Sequence, residues 1–145
     1  MQAKVLNEAP ERTIALVLDR GDEVMSALQR FAREHSLTAS RVTAIGAFES
    51  ATLGYFNWQS KQYERIPVDE QVEVLSLVGD IALDGDQPKV HAHVVLGRRN
   101  GAAVGGHLLE ARVRPTLEVM LVESPAYLRR VCDPVSGIPL IRLGE

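Results

Sequence analysis

Apolar side chains alternate or run continuously along most of the chain, a pattern that is typical of β-strands. The first such segment extends from Arg12 to Asp19 and has apolar residues on both faces, which indicates a strand covered on both sides. Turn-forming residues separate seven further segments of this kind, Arg41–Ala47, Ala51–Trp58, Gln62–Ile66, Gln71–Leu83, Lys89–Gly97, Ala103–Val113 and Thr116–Glu123. Their short connections favour antiparallel pairing, because a parallel crossover needs about a dozen residues or more.

One segment has helical periodicity instead. Between residues 22 and 35, apolar side chains recur at helical offsets and charged side chains occupy the other side, as on a helix that lies against a sheet. Asp22 is the predicted N-cap, because its carboxylate can accept the free N–H groups of the first turn. The chain therefore predicts an α+β fold, a mostly antiparallel multi-stranded sheet packed with one main helix at about residues 22–35.

The two ends of the chain lack this regular patterning. Residues 1–10 have little periodicity and predict a flexible N-terminal lead-in, whereas residues 11–145 contain no linker or repeat and predict a single domain. The tail from Pro125 to Leu143 is rich in Pro and is expected to be irregular, apart from one edge strand at Ile138–Leu143.

Charge and cysteine content restrict the function classes. The chain has 16 Lys and Arg against 19 Asp and Glu, a net charge of −3, and its basic residues are mostly isolated, so its composition does not imply DNA binding. Cys132 is the single cysteine, which excludes an intrachain disulfide and favours a reducing compartment. Neither a signal sequence nor an apolar run of about 20 residues is present, so we expect a cytoplasmic protein without a membrane segment.

Three of the four histidines lie close together in the sequence, as His91-Ala92-His93 and then His107. Side chains at positions i and i+2 of a strand point to the same face, so His91 and His93 should form a pair of neighbouring imidazoles. Whether His107 joins them depends on how the two strands are connected.

Two registers of this hairpin are open. A two-residue turn at Asn100-Gly101 would direct His107 away from the other histidines. A three-residue loop that ends at Gly101, with this glycine in the left-handed region, would set His93 directly opposite His107. A compensating bulge at Gly105-Gly106 would also bring the three rings together. We predict the three-residue loop.

Three neutral imidazoles that leave a coordination position open are typical of zinc sites, where a bound water can be acidified. The sequence therefore predicts a divalent metal site at His91, His93 and His107. Zinc is the first choice and nickel or iron are alternatives, because nickel, iron and copper also accept imidazole ligands. The alternative is that the histidines form hydrogen bonds within a polar face or a subunit interface.

Two carboxylates are candidates to support such a site. Glu73 and Glu118 lie in otherwise apolar strands, where a carboxylate is rarely buried without a partner. Each could accept a hydrogen bond from an imidazole N–H of a metal ligand. The alternative for both is an outward-facing strand residue.

Several segments in combination resemble one known family, and they cover most of the chain from about Arg12 to Leu143. The segments are Ile45-Gly46-Ala47, the strand through Tyr55-Phe56, Glu73–Gly79, His91-Ala92-His93, Gly105–Leu108 and Thr116–Val119. In this order they resemble the plants and prokaryotes conserved domain, written PPC or PCC. The resemblance implies a compact α+β domain, in agreement with the pattern of one helix and many strands. It also implies that this domain assembles as a homotrimer.

The resemblance also bears on function. A metal has been proposed for the prokaryotic branch, which the chain resembles in His91, His93 and His107. Arg20 matches a family position that commonly reads Arg-Gly followed by an acid, so it is a candidate to bind an anionic ligand, or else it pairs with a carboxylate. Plant members carry AT-hook arms and bacterial members are often labelled DNA-binding by association, but this chain has no Arg-Gly-Arg-Pro arm.

Three hypotheses follow. The first is a PPC-domain protein with a three-histidine metal site that acts as a metal-dependent enzyme or binds a small-molecule ligand. The second is a DNA-binding or transcription-associated regulatory module, as the family label suggests. The third is an assembly protein whose trimer surface is its function.

Overall fold

The computed structural model describes residues 1–7 and 10–143 of the chain. In these residues it contains one helix and nine strands: β1 Gln2–Asn7, β2 Arg12–Asp19, α1 Val24–Glu34, β3 Ala39–Asn57, β4 Gln62–Val68, β5 Val72–Asp84, β6 Gln87–Gly97, β7 Ala103–Glu123, β8 Arg129–Cys132 and β9 Pro139–Arg142. The strands belong to one sheet, which runs β1-β2-β7-β3-β5-β8-β9 and includes β4 beside β3 and β6 between β5 and β7. All strand pairs are antiparallel except β5 with β8, so the structure confirms the predicted α+β class.

Four strands form a closed circuit of hydrogen bonds. Strand β3 pairs with β5, β5 with β6, β6 with β7, and β7 with β3. One set of alternating side chains points into this circuit and forms the core, with Phe48, Leu77, Leu96 and Leu108 at 1% exposure or less. The opposite set points outward, and on β6 that outward set includes His91 and His93.

Helix α1 packs where the circuit opens. Strands β6 and β7 pair with each other only over His93–Gly97 and Ala103–His107. Outside these ranges, backbone groups of both strands form hydrogen bonds with side chains of the helix and its N-cap. The Gln29 amide donates to the Pro88 carbonyl (2.5 Å) and accepts from the Val90 N–H (3.1 Å), while a Glu23 carboxylate oxygen accepts from the Ala111 N–H (3.2 Å). The helix therefore satisfies backbone groups that the sheet leaves free.

The helix begins one residue later than predicted. Glu23, not Asp22, is the N-cap, and its carboxylate accepts hydrogen bonds from the backbone N–H groups of Met25 and Ser26. Asp22 instead accepts from the Asp19 N–H in the preceding turn (3.0 Å). Glu23 reaches both the first helical turn and β7, a tertiary contact that its sequence position does not reveal.

Two pairs of predicted strands are single long strands. The segments Arg41–Ala47 and Ala51–Trp58 are both parts of β3, and Ala103–Val113 and Thr116–Glu123 are both parts of β7. Each strand continues because the residues between its two predicted segments are accommodated by irregularities in the β3–β7 register. Pro115 lies at one of these irregularities, where its missing N–H leaves no ladder bond unmade.

Both ends of the chain have more structure than predicted. Residues 2–7 of the expected lead-in form β1, which pairs with β2 and gains order from that sheet edge; Glu8 and Ala9 lie outside the described residues. In the tail, the predicted edge strand is β9, and the segment expected to be irregular also contains β8. No helix in the described part of the chain has the length and apolar character needed to span a membrane.

Candidate metal centre

The β6–β7 hairpin has the register that the three-residue loop predicts. Gly97 pairs with Ala103 and His93 pairs with His107. The turn is closed by hydrogen bonds from the Gly101 N–H to the Arg98 carbonyl (2.9 Å) and from the Arg98 N–H to the Ala102 carbonyl (2.8 Å). Gly101 adopts a φ of 83°, which a residue without Cβ reaches at little cost. The register prediction is thus confirmed.

A close approach of β5 supports the strand that carries two of the histidines. Gly79 of β5 pairs with Ala92, which lies between His91 and His93. A Cβ at position 79 would lie 2.3 Å from the His91 carbonyl oxygen and 3.0 Å from the Ala92 Cα. Only glycine therefore allows the two backbones to lie this close behind the imidazoles.

The three imidazoles converge on the outer face of this hairpin. The ring centroids are 5.0 Å apart for His91 and His93, 5.0 Å for His91 and His107, and 5.4 Å for His93 and His107. The Nε2 atoms of His91 and His93 lie 3.2 Å apart, and one ring nitrogen from each histidine lies within 4.8 Å of the other two. Two nitrogens bound to one tetrahedral zinc ion at 2.0–2.1 Å are roughly 3.3 Å apart, which is close to the separation of the His91 and His93 Nε2 atoms.

Two of the rings are held in the neutral form. Burial lowers the pKa of His107 to about 4, with further lowering by the charges of His91, His93 and Lys89. Burial also lowers the pKa of His91, an effect that Arg130 reinforces and Asp80 opposes. Both rings are therefore unprotonated at neutral pH. This is the form of imidazole that binds a metal, because its nitrogen lone pair is free.

The same shift predicts how the stability of the metal-free protein depends on pH. In the unfolded chain His107 titrates near pH 6.5, whereas in the folded chain its pKa is about 4. Between these values the unfolded state binds more protons, so the free energy of unfolding should fall as the pH is lowered from 7 to 5. Urea denaturation of the metal-free protein over this range measures the effect. The slope should decrease in His107→Gln, and an equal slope in the variant would contradict the assignment.

Residues outside the predicted set surround the histidines. The Tyr63 ring from β4 packs against His107, with centroids 4.6 Å apart and planes tilted by 33°. Asp80 lies opposite His91 in the β5–β6 ladder and forms an ion pair with Arg130 of β8, which is only 8% exposed. These three side chains come from three different strands, β4, β5 and β8.

The other predicted site residues lie elsewhere. Glu73 and Glu118 are exposed and together line a cleft on the outer face that also contains Ile45 and Leu75. Within one chain, the structure does not bring either carboxylate to the imidazoles. Arg20 is exposed at the turn between β2 and α1 and does not line the cavity beside the histidines.

The chain is thus a small α+β protein that carries three imidazoles on the outer face of a β-hairpin. The chain belongs to the family defined by the Plants and Prokaryotes Conserved (PCC) domain, whose sequence model matches residues 6–125. The family resemblance inferred from the sequence is therefore confirmed. No curated protein sequence matches the chain significantly.

Solved structures of similar proteins agree with this assignment. A plant- and prokaryote-conserved (PPC) protein from Pyrococcus horikoshii is 30% identical, with a TM-score of 0.85 over 92% of this chain and 93% of that one. A metal-containing protein from Archaeoglobus fulgidus is 31% identical, with a TM-score of 0.83 over 98% and 97% of the two chains. A protein from Ralstonia eutropha JMP134 with a provisional DNA-binding designation is 28% identical, with a TM-score of 0.84 over 90% and 91%.

Proposed function

We propose that His91, His93 and His107 bind a divalent metal ion and that this ion serves either catalysis or the binding of a small-molecule ligand. The observation that carries the proposal is the convergence of three ring nitrogens within 4.8 Å. Three imidazoles from one hairpin form a donor set that leaves room for a further ligand on the ion, as in catalytic zinc sites.

Two further observations support a metal at this position. The Nδ1 atom of His107 is buried and has no hydrogen-bond partner in the described part of the chain, which costs stability unless an ion or ligand satisfies it. The similar protein from Archaeoglobus fulgidus is named as metal-containing. We take zinc as the first candidate because its coordination preferences match an imidazole site, with nickel and iron as alternatives.

The surroundings of the cluster fit a role in handling a small ligand. A bound zinc ion supplies Lewis-acid chemistry, which polarises an oxygen atom of a ligand. His91 and His107 line a cavity that is open to solvent, and Tyr63 and Arg130 line the same cavity. A ligand that enters this cavity would lie beside two of the three proposed metal-binding imidazoles.

We further propose that the chain assembles as a homotrimer in the cytoplasm. The outer faces of the four circuit strands expose a group of large apolar side chains, and an apolar patch of this kind marks an interaction surface. The group consists of Ile45, Leu75, Val78, Val95 and Met120. A second copy of the chain would cover it, and the single cysteine fits a reducing compartment.

Two measurements on the same purified protein test the metal and the assembly. Protein purified without a His-tag should contain close to one zinc, nickel or iron ion per chain by elemental analysis, and its molar mass in solution should be three times that of the chain. Metal-free protein that takes up no zinc, nickel or iron on titration would contradict the metal proposal. A monomeric mass would contradict the trimer alone.

DNA binding is the second candidate, favoured by the designation of the Ralstonia eutropha relative. The net charge of −3 does not support it. Retardation of duplex DNA that weakens steeply with salt would raise this candidate above the metal-dependent ones, since released counterions produce that dependence.

A further inference from the structure

A cavity of about 240 Å³ lies beside the histidine cluster, between β6 and the β8–β9 hairpin. His91 and His107 form part of its wall, so a molecule in the cavity would lie beside two of the three clustered imidazoles. Sites for drug-sized ligands are typically about 300–1,000 Å³. The cavity is therefore suited to a molecule smaller than a typical drug-sized ligand.

The charges in this wall have one sign. Lys89 and Arg130 line the cavity, and none of the described residues that line it is acidic, although the whole chain carries a net charge of −3. Arg130 is fixed by its ion pair with Asp80 and by a hydrogen bond to the Pro139 carbonyl (3.4 Å). Because Asp80 compensates Arg130, the uncompensated positive charge belongs to Lys89.

Lys89 is free to meet a ligand. It is exposed, and its side chain forms neither an ion pair nor a hydrogen bond with any residue in the described ranges. It lies two residues before His91 on β6 and therefore points to the same face. Lys89 and His107 line the same cavity, so the ammonium group and this imidazole border the same space.

The remaining wall is apolar. Ile138, Pro139 and Leu140 from the β8–β9 segment face the cavity, together with Val90 of β6. An inorganic anion would leave this surface without a partner, whereas a short hydrocarbon group would cover it. The cavity thus combines a cation, an apolar wall and an adjacent candidate metal site.

We propose that this cavity binds a small organic acid, with its carboxylate between Lys89 and the three histidines and its short carbon chain against residues 138–140. The proposal deepens the proposed function, because it rests on a metal at the histidines for the second contact of the carboxylate. The ligand class is the short-chain carboxylates, and Lys89 is the residue that selects for the negative charge.

Ligand-observed NMR with 2-hydroxybutyrate and the uncharged 2-hydroxybutanamide tests the proposal on zinc-loaded and metal-free protein. We expect the acid to bind zinc-loaded protein at least about tenfold more tightly than the amide, since hydrogen bonds to charged groups are stronger than those to neutral ones. Lys89→Gln should weaken binding of the acid about tenfold and leave binding of the amide and the zinc content unchanged. The matched control is Lys61→Gln, at the β3–β4 turn, which should change nothing.

The outcomes separate this proposal from the proposed function. Equal binding of acid and amide, or acid binding that Lys89→Gln does not change, overturns the carboxylate subsite whatever the zinc content. A chain that takes up no zinc but binds the acid in a manner that depends on Lys89 keeps the subsite and overturns the metal site. Inorganic phosphate that competes more strongly than 2-hydroxybutyrate overturns the assignment to an organic acid.

Discussion

His93→Ala should lower the affinity of the protein for zinc by about 100-fold or more. Loss of a residue that only orients a metal ligand typically costs about 10–100-fold in affinity, so loss of a ligand should cost at least as much. His93 is the most informative position, because its Nε2 lies 3.2 Å from that of His91 and its backbone pairs directly with His107. Competition titration of metal-free protein with a zinc chelator of known affinity measures the change.

The control for this variant is His35→Ala. His35 is the fourth histidine and the C-cap of α1, where it stacks on Phe31 at the end of the helix and does not belong to the cluster. Its loss should leave zinc affinity unchanged. Because His93 is exposed, His93→Ala should also shift the free energy of unfolding of the metal-free protein by no more than about 0.5 kcal/mol. Zinc affinity equal to that of the parent in a folded His93→Ala protein would refute the three-histidine site.

The core of the site could be predicted from the sequence because it depends on local rules. The i, i+2 spacing of His91 and His93 places them on one face of any strand. The position of the third histidine depends only on the register of the β6–β7 hairpin. A loop that ends in Gly101 is one of the few geometries that this turn can adopt. The observed pairing of His93 with His107 follows from that turn.

The surroundings of the site depend on contacts between distant parts of the chain. Arg130 reaches the cluster because β8 pairs in parallel with β5, and a four-residue strand in a tail rich in Pro gives no periodic signal. Asp80 is a different case. The two-residue turn at Gly85-Asp86 pairs Asp84 with Gln87 and so places Asp80 opposite His91, and the rule applied to the β6–β7 hairpin could have found this position.

Glu73 and Glu118 show why strand residues are harder to place. Both were candidates because carboxylates in apolar strands are rarely buried without a partner. The structure exposes both of them, on a face that also exposes Ile45 and Leu75. A strand that is apolar on both faces does not reveal which face is the core, because the alternating positions of both faces then carry the same kind of side chain.

Gly79→Ala should lower both the free energy of unfolding and the affinity for zinc, although position 79 does not touch an imidazole through a side chain. The new Cβ would lie 2.3 Å from the His91 carbonyl oxygen, a distance that the backbone must relieve by moving β6 away from β5. Overpacking of this kind typically costs about 1–3 kcal/mol. The displaced segment carries His91 and His93, so zinc affinity should fall by about tenfold, as for the loss of groups that orient a ligand.

The matched control adds the same methyl group elsewhere in the β5–β6 pair. In Gly97→Ala the three atoms nearest to the new Cβ would be side-chain atoms of Leu75 at 3.1–3.2 Å, and the end of this flexible side chain can shift by a few tenths of an ångström. We expect a loss of less than about 1 kcal/mol and unchanged zinc affinity. Urea denaturation and the chelator competition give both quantities for each variant. Equal losses in the two variants would show that the backbone contact at Gly79 does not position the histidines, since only that contact distinguishes the two sites.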